Sequence, residues 1–170
     1  MNKKLIPTYQ CESVFKINYE YLKGLNIKNL FFDLDNTLAS PYVSYPSLDV
    51  EKLFNSLKQK GFNIYIISNN HQNRVSLFTF SLKVNYFYEL KKPKIKRIAN
   101  IIKENNINLN ESAFIGDQVM TDVLMANRLN ACSILVSPLT KRDQLITFFP
   151  RLLDKHYRKI INKKKLAKEI

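Results

Sequence analysis

The sequence predicts a Rossmann-like α/β domain, a parallel sheet with helices on both faces. Two observations carry this expectation. Short apolar runs that end in polar residues alternate with stretches of helical periodicity. Such alternation builds parallel strands joined by crossover helices. The polar residues with the richest chemistry also fall at the carboxyl ends of those runs, where ligands bind in open parallel sheets.

The elements read as follows. Residues 29–35 (NLFFDLD) form a buried strand. Residues 47–60 form a helix: Ser47 caps it, Leu48, Leu53, Phe54 and Leu57 share a face, and Gly61 ends it. Residues 62–68 (FNIYIIS) form a second strand, 72–80 a helix, and 84–88 a short third strand. Pro93 fits the first turn of a helix that runs to about residue 105. Residues 113–116 form a fourth strand, 121–130 a helix, and 133–136 a fifth strand.

The chain has 170 residues, 45% of them hydrophobic, which suffices for one ordinary core. Apolar runs are too short to span a bilayer, and the first residues lack a signal-peptide core. Cys11 and Cys132 have no metal or disulfide spacing. These features lead us to expect a cytoplasmic protein with reduced thiols. We divide the chain into a lead-in (1–26), a catalytic domain (27–140) and a basic amphipathic C-terminal helical segment (141–170) packed on the domain or extending from it. The net charge is +13, and residues 141–170 hold ten Lys/Arg against three Asp/Glu. That surplus favours an anionic partner: a phosphorylated substrate, an acidic membrane surface or nucleic acid. An AT-rich coding bias toward lysine gives the same composition without any partner.

The chemistry starts from Asp33-Leu-Asp-Asn-Thr37. Asp33 and Asp35 are two apart on an extended segment, so both carboxylates leave on one side. Close carboxylates at an apolar strand end repel each other, and a cation relieves the repulsion. Mg²⁺ takes oxygen ligands of this kind, together with water and substrate phosphate. A second acidic cluster, Gly116-Asp117 to Asp122, ends another strand. Ser68 adds a hydroxyl and Lys92 a point charge. The set suits phosphoryl transfer, in which charge on the phosphoryl oxygens must be neutralised.

At this point the residues resemble a known superfamily. Asp33-x-Asp35-x-Thr37, Ser68 after residues 64–67, Lys92 before Pro93, and Gly116-Asp117-x-x-x-Thr121-Asp122 match, in order, the four motifs of the haloacid dehalogenase (HAD) superfamily. The resemblance implies that Asp33 attacks phosphorus and forms an aspartyl-phosphate. It implies that Asp35 protonates the leaving oxygen and later activates water, while its backbone carbonyl binds Mg²⁺. Thr37 supports the loop, Ser68 bonds a phosphoryl oxygen, and Lys92 holds nucleophile and phosphate together. Asp117 ligates the metal, and Asp122 ligates it or orients its ligands. The metal set is then Asp33, Asp35, Asp117 and Asp122. An acid two residues after the nucleophile favours phosphatase chemistry over dehalogenation or ion pumping.

Only residues 38–46 separate the first motif from the next helix, and one helix and one strand lie between Ser68 and Lys92. This leaves no room for a cap domain, so we expect an open site. The flanks Ser68-Asn-Asn-x-x-x-Arg74-Val75 and Gly116-Asp-Gln-x-x-Thr-Asp-Val123 resemble the YqeG family of type IIIA HAD phosphatases. That family includes a mitochondrial phosphatidylglycerophosphate phosphatase, so the resemblance implies a lipid-phosphate substrate. Met125, Ala126 and Asn130 depart from the glycines the family tends to carry there.

The flanking residues have two readings each. Asn69 and Arg74 are candidate phosphate or substrate contacts, or else structural. Tyr42 and Tyr45 touch substrate or merely pack. His71 reads as an exposed helix-start residue and Arg128 as structural. The C-terminal segment is either a helix packed on the sheet with a solvated basic face or a membrane-surface helix. The function expected is phosphatidylglycerophosphate hydrolysis at the inner membrane face. The alternatives are phosphatase action on nucleotides or nucleic-acid ends, and a nucleic-acid or ribosome-binding protein with a secondary site.

Overall fold

The computed structural model describes residues 2–140 and 148–170, and in the second stretch side chains are described from residue 153. Among the described residues seven strands form one sheet: β1 (Tyr9–Cys11), β2 (Asn29–Asp33), β3 (Asn63–Ile67), β4 (Asn85–Phe87), β5 (Ser112–Gly116), β6 (Cys132–Val136) and β7 (Lys168–Glu169). Their spatial order is β4-β3-β2-β5-β6-β1-β7, and every pairing is parallel. The helices are α1 (Tyr19–Gly24), α2 (Leu48–Gln59), α3 (Gln72–Thr79), α4 (Lys96–Glu104), α5 (Leu124–Arg128) and α6 (Phe148–Lys163). The α/β architecture read from the sequence is therefore the one observed, and no inserted cap domain interrupts it among the described residues.

Strand β2 is central, and all five of its residues are buried. A strand covered on both faces needs a continuous apolar run, and Leu30, Phe31 and Phe32 supply it. Phe31 stacks between Tyr65 and Phe114, with ring centroids 4.6 and 4.5 Å away. Phe32 points the other way, onto Phe54 of α2. Register pairs Asp33 with Ile67, so the first and second motifs lie side by side at one sheet edge. Gly116, at the end of β5, pairs with Leu135 of β6.

Helix α2 begins where expected. The Ser47 hydroxyl accepts from the Val50 amide at 3.3 Å, and Val50, Phe54 and Leu57 face the core. Leu48 differs: it sits in the first turn and is 72% exposed. Gly61 follows the helix with φ +86°, a conformation that favours glycine.

Three expectations shift. Pro93 does not open α4, which starts three residues later at Lys96; the Lys92–Pro93 peptide is cis. The helix expected at 121–130 opens instead as a wide π-type turn over Val119–Val123 and continues as α5. The third difference is in the residues before the first motif. They supply β1, which pairs with β6, and α1, so this segment is built into the sheet. Of the C-terminal segment, residues 141–147 lie outside the described residues. Helix α6 packs on the domain: Ile161 is fully buried against a cluster with Val119, Val123, Leu124 and Leu135. Among the described residues no helix is long and apolar enough to cross a membrane.

Phe31→Ala removes the ring stacked between Tyr65 and Phe114. We expect it to lower unfolding free energy by about 3–5 kcal/mol in urea denaturation.

Candidate active site

Parallel strands aim their carboxyl ends at one rim, and the predicted residues gather there. Asp33 closes β2 and Ser68 follows β3. Asp117 follows β5, and Asp122 lies within the wide turn after it. All four are less than 10% exposed, as is Lys92. The carboxylates of Asp33, Asp117 and Asp122 lie within 4.8 Å of one another. The Lys92 ammonium donates to Asp33 Oδ1 and, at 2.7 Å, to Asp122 Oδ1.

The surroundings fix these groups. The Asn69 side chain clamps the Lys92 backbone at both ends: its Oδ1 accepts from the Lys92 amide at 2.6 Å, and its Nδ2 donates to the Lys92 carbonyl at 3.2 Å. Asn69 is thus a support for the lysine. The Ser68 hydroxyl accepts from the Asn70 amide at 3.0 Å. Thr37 Oγ1 donates to Asp117 Oδ1 at 3.5 Å. Asp122 Oδ2 accepts from the Gln118 amide at 3.1 Å.

Electrostatics follows from burial. Burial pushes the Asp33 carboxyl up; Lys92 opposes the shift and Asp122 adds to it, and the result is about 7. Burial alone would lower Lys92, but Asp122 and Asp33 outweigh it and hold the ammonium above its ordinary value. Three carboxylates face one ammonium, so the cluster carries unbalanced negative charge when all are ionised. Its donors are all oxygen, without sulfur or imidazole, which fits a hard divalent cation such as Mg²⁺.

Asp35 stands apart from this cluster. Its carboxylate accepts from Arg74 Nη2 at 3.1 Å and from Asn70 Nδ2 at 3.2 Å, and its side chain is 22% exposed. Of the four acids expected around the metal, three bring carboxylates together, and the Asp35 carboxylate is not among them. Arg74 also reaches the Ser40 carbonyl at 3.4 Å and lies over the Phe78 ring. Its Nε and Nη1 are buried without hydrogen-bond partners. His71 is exposed and pairs with Glu89, and Arg128 donates to the Pro93 carbonyl. Tyr42 and Tyr45 are 67% and 63% exposed on the loop beside the site.

Several supports escaped the sequence reading. Asn36, at φ +68°, bonds Ala39 and Thr140 and so shapes the loop after Asp33. Asn70 holds Asp35. Asp154 and Arg158 of α6 touch the backbone of residues 117–119. Only the last pair left a trace in sequence, as an acid and a base four apart on a helical pattern.

Comparison with known proteins now decides the family. The model of a family described as mitochondrial PGP phosphatase matches residues 1–139. The chain belongs to this family. It is 31% identical over 164 residues to "Probable phosphatase YqeG" of Bacillus subtilis, covering 96% of this chain and 95% of that protein. Its fold is similar to a cobalt-bound deoxy-D-mannose-octulosonate 8-phosphate phosphatase from Haemophilus influenzae, at TM-score 0.51 and 14% identity over 66% of this chain and 69% of that one. An uncharacterised Listeria monocytogenes protein has TM-score 0.50 and 13% identity over 78% of this chain and 99% of that one. The protein is therefore a phosphatase of HAD type, a phosphoric monoester hydrolase with an acidic metal-binding cluster.

Gly116 gives this phosphatase a sharp local test. A Cβ there would lie 2.4 Å from Cγ of Asp122, closer than real contacts allow. Gly116→Ala must push Asp122 away from Asp33 and Lys92. We expect about 1–3 kcal/mol lost in urea denaturation and about tenfold or more lost in kcat/KM on a soluble phosphomonoester.

Proposed function

We propose that the protein hydrolyses a lipid phosphomonoester of the phosphatidylglycerophosphate type, with Mg²⁺, through a phosphorylated Asp33. The observation that carries the chemistry is the buried Asp33–Lys92–Asp122 array beside Asp117. The lipid substrate is supported by the description of the matching family and by the open, capless rim.

The steps follow from position. Asp33 offers a carboxylate oxygen for in-line attack on phosphorus. The P–O bond to the alcohol breaks, and Asp35 gives the departing alkoxide its proton. Asp35, now a carboxylate, takes a proton from water, which attacks the phosphorus of the acyl phosphate. Cleavage releases inorganic phosphate and restores Asp33. Lys92 and the Ser68 hydroxyl hold the phosphoryl oxygens throughout. Thr37 steadies Asp117, and Asn69 acts through Lys92. Asp33, Asp117, Asp122 and the Asp35 carbonyl would hold Mg²⁺, which would supply positive charge against the charge that develops on the phosphoryl group. Arg74 orients Asp35 and borders the substrate entrance.

We place this reaction in phospholipid metabolism, at the cytoplasmic face of the membrane. Lys155, Lys159 and Lys163 of α6 are exposed. Each basic residue near anionic lipid contributes roughly 1 kcal/mol.

Asp33→Asn should fold normally and lose turnover by about a thousandfold or more. Near-normal hydrolysis by this variant would refute a covalent Asp33. EDTA should abolish activity of the native protein and added Mg²⁺ should restore it; full activity after exhaustive chelation would refute the metal. Phosphatidylglycerophosphate in anionic vesicles should be hydrolysed faster than nucleotides or phosphorylated DNA ends, with a preference over neutral vesicles that weakens in high salt. Faster turnover of the nucleic-acid substrates would overturn the lipid assignment.

A further inference from the structure

The site described so far ends at Asp122, yet α6 reaches back to the same loop. Arg158 Nη2 donates to the backbone carbonyl of Asp117 and, at 2.8 Å, to that of Val136. Its Nε donates to Asp154 Oδ2 at 2.9 Å. Asp154 is 6% exposed, and its other oxygen accepts from the Val119 amide. One ion pair thus grips the chain on both sides of Gln118.

The gripped segment needs an outside support. Residues 118–123 turn widely: the amides of both Asp122 and Val123 reach the Gln118 carbonyl, at 3.0 and 3.2 Å. Wide turns of this kind are less regular than an α-helix and recur at functional sites. Asp117 precedes the turn and Asp122 lies within it. The separation of their carboxylates therefore follows the backbone path between them.

We propose that Arg158 is a positioning residue for the metal-binding loop: its guanidinium, oriented by Asp154, fixes the Asp117 backbone and so sets the spacing of Asp117 and Asp122. This rests on the reading above, that these two carboxylates hold Mg²⁺. The planar fork is what the task requires. It donates to a carboxylate and two carbonyls at once, which an ammonium on a flexible stem does not reproduce. Asp154 is the buried member, with a side chain 8% exposed, so loss of Arg158 strands its carboxylate. Helix α6 is then part of the catalytic apparatus, through the loop it holds.

The test is Mg²⁺ titration of the full chain by calorimetry, beside thermal unfolding followed by circular dichroism. Arg158→Met keeps the apolar stem and removes the fork. It should raise the Mg²⁺ dissociation constant about 10–100-fold, while kcat at saturating Mg²⁺ largely recovers. Arg158→Lys and Asp154→Asn should fall between this variant and the native protein. Leu57→Ala loosens the core under α2, in a cluster that holds none of residues 117–123. It should lower the melting temperature and change Mg²⁺ affinity by less than about threefold, the pattern expected of packing alone. If Arg158→Met follows the Leu57→Ala pattern, the proposal is overturned. If Arg158→Met fails to fold, unchanged Mg²⁺ affinity in Arg158→Lys and Asp154→Asn overturns it. No Mg²⁺ binding by the native chain sinks the metal reading itself, a different result from equal binding by native and variant proteins.

Discussion

The active rim depends on one buried ammonium. Lys92 is held between Asp33 and Asp122, and without it two carboxylates would face each other away from water. Burial disfavours the charged form of each group taken alone. Together they are tolerable, because each supplies the opposite charge that the other needs. The array remains one-sided, since Asp117 adds a third carboxylate. That excess sets up the demand for a divalent cation. A fully neutral cluster would have no such demand.

Much of the scaffold can be understood as support for that lysine and its partners. Asn69 binds both backbone groups of Lys92, so the ammonium approaches from a fixed root. The Phe31 stack and the buried length of β2 keep Asp33 from drifting along the sheet. Gly116 leaves the space that Asp122 fills. The wide turn brings Asp122 round to face Asp33 across the sheet, and α6 covers its outer side. These contacts come from five separate stretches of chain. None of them alone brings the charged groups together.

This dispersion explains what the sequence revealed and what it hid. The strands and motif residues were legible because each carries a local signal: an apolar run, then a polar residue at its end. The parallel sheet followed from their alternation. Strand β1 and strand β7 gave no such signal. They are three and two residues long, and pairing with a neighbour defines them more than their own composition does. The helix expected from Pro93 forms, but it starts three residues later at Lys96, because proline fits a tight loop as well as a helix start. The helix expected over 121–130 forms only from Leu124, because a wide turn over Val119–Val123 takes up its first residues. Asn36, Asn70 and Arg158 were missed for one shared reason. Their partners lie across the fold, and a single polar residue does not announce which distant group it will meet.

The two halves of the rim differ in wetness, and the difference has chemical meaning. Asp33, Asp117, Asp122 and Lys92 are buried, whereas Asp35 keeps a side chain 22% exposed and is held by Arg74 and Asn70. Two carboxylates two residues apart on one loop thus sit in unlike environments. In the mechanism we propose, the nucleophile would gain from a dry setting in which a fixed cation and ammonium replace water around the phosphoryl group. A group that exchanges protons with an alcohol and then with water gains from contact with solvent. The sheet creates this contrast without a lid, because β2 ends inside the layer and the chain then leaves it toward the loop that carries Asp35. With no cap to exclude water, the dry half must be dry by construction. That is why its polar side chains are paired with one another so closely, and why α6, through Asp154 and Arg158, braces the backbone of residues 117–119 behind them.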